Sequence, residues 1–356
     1  MKLVLVGGFL GSGKTTAIVG ACQQLMLEHK KVAVITNDQG EQQVDSAFVK
    51  SFDIADKEVI NGCFCCNYDQ LDGHIASLTE KDQPDIIFAE SVGSCTDLIA
   101  TIAKPLNKFR PEIEVVISIF ADADLLASLF EGRSMFLEES VRYIYKKQLE
   151  EADLLIINKS DLLTSTQLIA VDALLKSEYP GKTILHQNSL IQKDISEWIK
   201  RLQQFTSSAK RRSIEVDYDV YGEGESKLAW LDKRIEVNTT HEDAVLVSSH
   251  IISAIFNQIQ EHHFTIGHLK FFMESEEWSE KISFTSTSSQ ADIKLTEHKT
   301  NCVTLLINAR VQTEPDNLER IVNNAIAKTE QVYGCSIVHD KLASFKPGYP
   351  TPTHRM

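Results

Sequence analysis

Residues Gly8 to Thr15 read Gly-Phe-Leu-Gly-Ser-Gly-Lys-Thr and follow directly on the apolar run Leu3–Val6. A G-x-x-x-x-G-K-T loop between a buried strand and a helix is built for a polyphosphate. Its glycines let backbone N–H groups close around phosphate oxygens with no Cβ in the way. Gly8, Gly11, Ser12 and Gly13 would form that cradle. Lys14 would reach the β and γ phosphates, and the Thr15 hydroxyl would take one position on Mg²⁺. From Thr16 to Leu27 the chain reads as a helix whose positive end faces the same phosphates. A Gly-rich structural turn is the competing reading, but few such turns have both the strand before and the helix after. The loop points to a nucleoside triphosphate.

A second motif chooses the base. Leu154–Ile157 is a short apolar, β-branched run that delivers Asn158-Lys159-Ser160-Asp161, an N-K-x-D sequence. A carboxylate at Asp161 accepts from both N1–H and the exocyclic amine of guanine. Adenine offers no such donor pair and would leave the acceptor unpaired. Asn158 would tether the loop, and the Lys159 stem would lie over the base plane. Four polar residues after a strand are weak evidence alone. About 140 residues beyond a phosphate loop they are strong, and they select GTP.

Between the two lies Asn61-Gly62-Cys63-Phe64-Cys65-Cys66. Three cysteines within four residues point in different directions and cannot all serve packing. Disulfides are not expected, because the chain opens on a core strand without a signal peptide and its 7 cysteines are odd in number and sparse. Closely spaced thiolates at Cys63, Cys65 and Cys66 suit a soft or borderline cation such as Zn²⁺, Co²⁺, Ni²⁺ or Cu⁺. A reduced, partly buried loop is the plainer alternative. No second C-x-x-C completes a closed site, so the expectation is an open, exchangeable one.

Taken together, these residues resemble the CobW-type P-loop GTPases, metallochaperone and metalloprotein-activator proteins related to UreG and HypB. The likeness covers roughly the first 200 residues. It rests on Gly8–Thr15, on Gly62–Cys66, on Glu90-Ser91-Val92-Gly93, and on Gln148–Asp153 leading into the N-K-x-D motif. It implies that Glu90 ends a Walker B strand, Ile86–Ala89, and acts near Mg²⁺ or the attacking water, with Lys14 as its catalytic partner. It also implies that Asn37–Asp45 is a first switch. The family usually has N-E-x-G-E there. Here Asp38 replaces the first Glu, while Gly40, Glu41 and Asp45 are kept. Asp38 and Glu41 are the carboxylates that the resemblance offers as metal ligands beside the cysteines, with ligand geometry put in question by the shorter Asp38.

Switch segments order around a triphosphate and relax on hydrolysis. If the thiols and a switch carboxylate share one metal, nucleotide state and metal affinity are linked, and by reciprocity the metal alters nucleotide affinity. No arginine finger stands out, so hydrolysis should be slow until metal or a partner stimulates it. The expected activity is a GTPase that hands a transition metal, Zn²⁺ or Co²⁺ foremost, or a metal-bearing cofactor such as a corrinoid, to a client metalloenzyme. Two other classes compete: a GTP-dependent metal sensor or buffer without catalysis, and a P-loop small-molecule kinase, which the guanine motif disfavours.

Composition sets the outer limits. A chain of 356 residues is long enough for two domains, and a net charge of −14 argues against nucleic acid. The charge suits a cytoplasmic protein, and no apolar run approaches the ~20 residues of a membrane span. Related GTPases often dimerise across the nucleotide face, so a homodimer is among the implied partners.

Alternating apolar strands and helical stretches predict an α/β P-loop NTPase domain with a mainly parallel sheet over 1–205. Its strands are expected at Leu3–Val6, Lys31–Thr36, Ile86–Ala89, Glu114–Ile119, Leu154–Ile157 and Thr183–His186, with helices at Leu71–Leu78 and Glu138–Leu149. Residues 206–213 read as a polar linker whose Lys210-Arg211-Arg212 is solvated. Residues 214–345 read as a smaller α+β domain in ferredoxin-like βαββαβ order, with an extra hairpin strand near Val216–Tyr221. Its Glu261-His262-His263 and His268 fit no ligand spacing and read as surface histidines. The Pro-rich tail, 346–356, is either a docking segment or a loose end. Cys22 and Cys302 are expected in the core, and Cys95 in packing near the nucleotide.

Overall fold

The computed structural model describes residues 1–40, 43–132, 138–206, 211–288, 291, 293 and 297–356. The chain divides into two compact units, each built around its own sheet. One comprises Met1–Gln39, Phe52–Gly224 and Tyr349–Met356, and the other Gly40–Ser51 and Glu225–Gly348.

The first unit holds seven strands: β1 (Lys2–Gly8), β2 (Val32–Asn37), β3 (Ala55–Val59), β4 (Ile86–Glu90), β5 (Glu114–Asp122), β6 (Leu154–Asn158) and β7 (Thr183–Gln187). They run in the order β3-β2-β4-β1-β5-β6-β7, every pair parallel. Leu3, Val4, Leu5 and Val6 of β1 are fully enclosed, as a central strand covered by helices on both faces must be. Helices Lys14–Leu27, Tyr68–Lys81, Glu139–Glu151 and Gln192–Gln204 are among those that fill the crossovers. A parallel sheet of this kind presents its loops at the carboxyl ends of the strands, where ligands bind.

Two expectations fail in this unit. Val216–Tyr221 forms no strand. Instead Tyr218–Ser226 is a helix whose start is capped by the Asp217 carboxylate, which accepts the Asp219 and Val220 N–H groups at 3.0 and 3.2 Å. Nor is the basic triplet simply solvated. Lys210 lies outside the described residues, as do 207–209 of the expected linker. The Arg211 side chain is only 6% exposed and grips Asp153 at 2.6 Å.

The second unit is a five-stranded antiparallel sheet: β8 (Ala229–Asn238), β9 (Ile266–Ser275), β10 (Trp278–Thr285), β11 (Cys302–Val311) and β12 (Ser336–Phe345), in the order β10-β9-β11-β8-β12. Without β10, its strands and the helices Ala244–Glu261 and Pro315–Tyr333 follow the ferredoxin-like order. The extra strand is β10, hairpin-paired with β9. One sheet face, carrying Phe271, Leu305 and Ile307, packs on helix residues such as Ile251, Ile255 and Ile326. The alternate residues Phe272 and Leu306 pack on Val44 of the short helix Val44–Lys50. Cys302, expected in the core, is exposed at the first position of β11, where its thiol meets the Glu236 carboxylate. No helix among the described residues is long and apolar enough to cross a membrane.

Candidate functional site

The phosphate loop leaves β1 and turns into the helix at Gly13, whose φ of 87° favours glycine; a Cβ there would stand 2.3 Å from the Asn158 amide. Gly8 and Gly11 also take positive φ. Ser12 is buried, and Thr16 lies in the first turn of the helix Lys14–Leu27. Lys14 arches back over the loop and donates to the Gly8 and Phe9 carbonyls at 2.8 and 3.3 Å. Those carbonyls hold the ammonium where an incoming phosphate would take it over.

The Thr15 hydroxyl donates to Glu90 Oε1 at 3.0 Å. Glu90 ends β4 and is almost fully enclosed. A hydroxyl and a carboxylate, both hard oxygen donors, meet where the loop would present its phosphates, and this donor set fits Mg²⁺.

Asn158, the last residue of β6, joins three loops. Its Nδ2 donates to the Ser12 carbonyl at 2.7 Å, while its Oδ1 accepts the Ser189 N–H and hydroxyl at 3.1 and 2.8 Å. Lys159 reaches the Asp122 carboxylate at 2.7 Å, and Asp122 in turn caps the helix Ala123–Phe130. Asp161 is exposed on the short turn Ser160–Leu162. Ser189 and Asp122 escaped the sequence reading. The only signal for Asp122 was an acidic residue at the junction of a long apolar strand and a helix.

On the other side of β1, the thiol loop is gathered as a cluster. The Cys63 sulfur lies 2.7 Å from Cys65 and 3.4 Å from Cys66, and Cys65 and Cys66 are 3.7 Å apart. Tetrahedral thiolate sites with Zn–S bonds of about 2.3 Å hold their sulfurs roughly 3.7 Å apart, so two of these separations already suit a metal and the third must open by about 1 Å. Cys63 and Cys65 are buried and Cys66 is half-buried. Hydrogen bonds from the Cys65, Cys66 and Cys95 thiols hold Cys63 well below the usual thiol range, against a burial that pushes it up. The same sharing pushes Cys65 up, and Cys66 up to about 11. The cluster thus favours charge on Cys63, with its neighbours as donors. Cys95, read as packing, brings its thiol to both Cys63 and Cys65. Its spacing from the cluster in sequence gave no sign of this.

Asn37 ties this loop to the start of Asn37–Asp45, the segment expected to act as a switch. Its Nδ2 donates to the Val59 and Gly62 carbonyls at 3.1 and 2.8 Å, and its Oδ1 accepts the Phe64 N–H at 2.9 Å. The next residue, Asp38, turns its carboxylate onto the Gln39 N–H at 2.7 Å. Among the described residues the metal-ligating group comprises Cys63, Cys65 and Cys66, without Asp38. Glu41 lies outside the described residues. His262 and His263 are exposed, but His268 is buried within β9, contrary to its reading as a surface residue.

Further along the segment, Asp45 is held by Lys270 at 2.5 Å and Lys281 at 2.9 Å, and the Val44 N–H donates to Asn308 Oδ1 at 2.8 Å. Gly40 abuts Asp232: a Cβ would lie 1.5 Å from its carboxylate oxygen. Asp232 is itself paired with the fully buried Arg310 at 2.7 Å.

A glycine cradle, a buried Lys-Thr pair at a helix start and a Walker B carboxylate define a P-loop nucleotide-binding protein. The nucleotide-binding domain model of the CobW/HypB/UreG family matches residues 2–186, more than half of the 356-residue chain, and the chain belongs to that family. It is 28% identical over 193 residues to zinc chaperone CobW of Sinorhizobium sp., covering 47% of this chain and 53% of that one. It is 31% identical over 170 residues to zinc chaperone YeiR of Escherichia coli K12, covering 45% and 47%. To zinc-regulated GTPase metalloprotein activator 1 of Dictyostelium discoideum it is 24% identical over 227 residues, covering 54% and 46%. The matches span about half the length of these relatives.

Proposed function

We propose that the protein binds and hydrolyses GTP and couples its nucleotide state to the binding and delivery of a transition metal, with zinc first and cobalt second, to a client enzyme in the cytoplasm. In this reading Gly8, Gly11, Ser12, Gly13 and Thr16 cradle the phosphates and Lys14 neutralises them. Thr15 holds Mg²⁺, whose bound charge offsets that of the phosphates, and Glu90 stands beside it. Asn158, Lys159 and Asp161 select guanine, and Cys63, Cys65 and Cys66 hold the cargo metal.

The observation that carries the reading is Asn37. A single side chain at the end of β2 holds the backbone on both sides of Cys63, so a switch segment that orders or relaxes just beyond Asn37 acts directly on a metal ligand. The names of the relatives, two zinc chaperones and a zinc-regulated GTPase activator, support the same class.

The test measures GTP hydrolysis together with Zn²⁺ and Co²⁺ affinity, for the wild type and for Cys63→Ala/Cys65→Ala/Cys66→Ala. Tighter metal binding with a non-hydrolysable GTP analogue than with GDP, lost in the triple variant, is the expected result. Equal affinity in both nucleotide states would refute the coupling. Phosphoryl transfer to an acceptor other than water would favour the kinase reading instead.

A further inference from the structure

The Pro-rich tail does not trail into solvent. Thr353 donates its N–H to the Cys65 carbonyl at 2.8 Å and its hydroxyl to the Cys66 carbonyl at 3.0 Å, while the Thr351 N–H reaches the Cys66 sulfur at 3.3 Å. The His354 ring meets Tyr68 edge-on at 4.9 Å and Phe109 at 5.3 Å between centroids. Arg355 Nε donates to Asp97 at 2.8 Å. The Met356 N–H closes the run on the Ala100 carbonyl at 2.9 Å.

Asp97 shows that this surface is shaped for a ligand. Its side chain is 0% exposed and takes a hydroxyl bond from Tyr218 at 2.7 Å, and Arg355 pairs with it directly at 2.8 Å while Lys104 acts on it from farther off. A buried carboxylate without a counter-ion is costly, and the Arg355 guanidinium lying across the groove supplies the direct partner. The two loop carbonyls and the two aromatic rings likewise meet successive residues of the tail, Thr353 and His354.

We propose that Cys65–Tyr68, Asp97–Ala100 and Phe109 form a peptide-binding groove beside the thiol loop, that it recognises a segment presenting a hydroxyl, an imidazole and a guanidinium in succession, and that Thr353-His354-Arg355 of the same chain occupies it. The tail therefore covers one edge of Cys66. The further consequence, that a segment of the same chemistry on a client displaces the tail as metal passes over, rests on the metallochaperone reading; the groove itself does not.

The experiment uses metal-free protein, so that it is independent of that reading. A chain ending at Gly348 is compared with the full chain by site-resolved alkylation of Cys66 with iodoacetamide, and by titration with a synthetic peptide of residues 349–356. Cys66 should be alkylated roughly tenfold or more faster without the tail, the peptide should restore the slow rate, and the full chain should not bind peptide. Arg355→Ala in the full chain should give an intermediate rate, which keeps the proposal testable if the shortened chain folds poorly. Equal Cys66 rates in wild type and Arg355→Ala, or a shortened chain that folds and binds no peptide, would overturn it. Peptide binding by a protein with no metal affinity at Cys63–Cys66 would leave the groove standing and sink the metallochaperone reading.

Discussion

The Asn37 carboxamide bonds to the backbone on both sides of Cys63, accepting from Phe64 N–H and donating to the Gly62 carbonyl. The thiol loop thus takes its shape from a residue in another strand, about 25 positions earlier.

Asn37→Ala should therefore loosen the cysteines without touching the nucleotide loop. The Phe64 N–H and the part-buried Gly62 carbonyl lose this partner, and the Val59 carbonyl keeps the Asp38 N–H, a loss of about 2 kcal/mol. Zinc affinity, measured by competition with a chromophoric chelator, should fall by roughly tenfold or more, with GTP affinity nearly unchanged. Unchanged zinc affinity would show that the loop holds its own shape.

Asp45 predicts an acid-sensitive lock. Burial pushes its carboxyl up, but the ammonium groups of Lys270 and Lys281 more than reverse this and hold it well below the usual carboxylate range. The contribution is therefore present above the unfolded carboxylate pKa and lost as pH falls through the folded one. Asp45→Asn should cost roughly 3 kcal/mol at pH 7, because it leaves two lysines facing each other around a neutral amide. The cost should shrink towards pH 3 in urea unfolding. A variant equally destabilised at both pH values would contradict the assignment.

Glu151 behaves in the opposite sense. Burial raises its carboxyl to about 7, against hydrogen bonds from the Ile99 and Leu98 N–H groups and the Thr96 hydroxyl. Its stabilisation is complete below the unfolded value and declines as pH rises from about 4.5 through 7. Glu151→Gln should flatten that decline, worth on the order of 3 kcal/mol across the window. Thermal unfolding of both proteins between pH 4.5 and 8 would show it, and parallel curves would count against it.

Asp161→Asn should exchange one base for another. The amide presents a donor where the guanine amine needs an acceptor, and it suits the carbonyl of xanthine instead. GTP affinity should drop by roughly a hundredfold while XTP gains. Equal losses for both nucleotides would mean that Asp161 does not read the base.

Residues whose spacing is set by the ligand were legible in sequence: the glycines and Lys14-Thr15, the N-K-x-D motif and the three cysteines. So were the six strands with apolar runs. Two of the four edge strands were not. β3, Ala-Asp-Lys-Glu-Val, buries only Val59, and the solvent-facing β10 is largely polar, so neither carries the pattern of a covered strand. Val216–Tyr221 misled in the other direction, because β-branched and aromatic residues alternate there while Asp217 caps a helix. The long-range partners of Asn37, Asp45, Cys95 and Arg355 follow from tertiary packing, which spacing along the chain does not encode.

The contact between Gly40 and Asp232 bears on how this protein is dissected. A chain cut after Gly224 would keep every nucleotide motif, yet the stretch from Gly40 to Ser51 would lose the sheet that Val44 and Asp45 grip. Such an excised domain would be an unfaithful surrogate in turnover assays. A chimaera that borrows the amino-terminal half of a relative would have to match its counterpart of Gly40–Ser51 to the recipient's Asp232, Lys270 and Lys281.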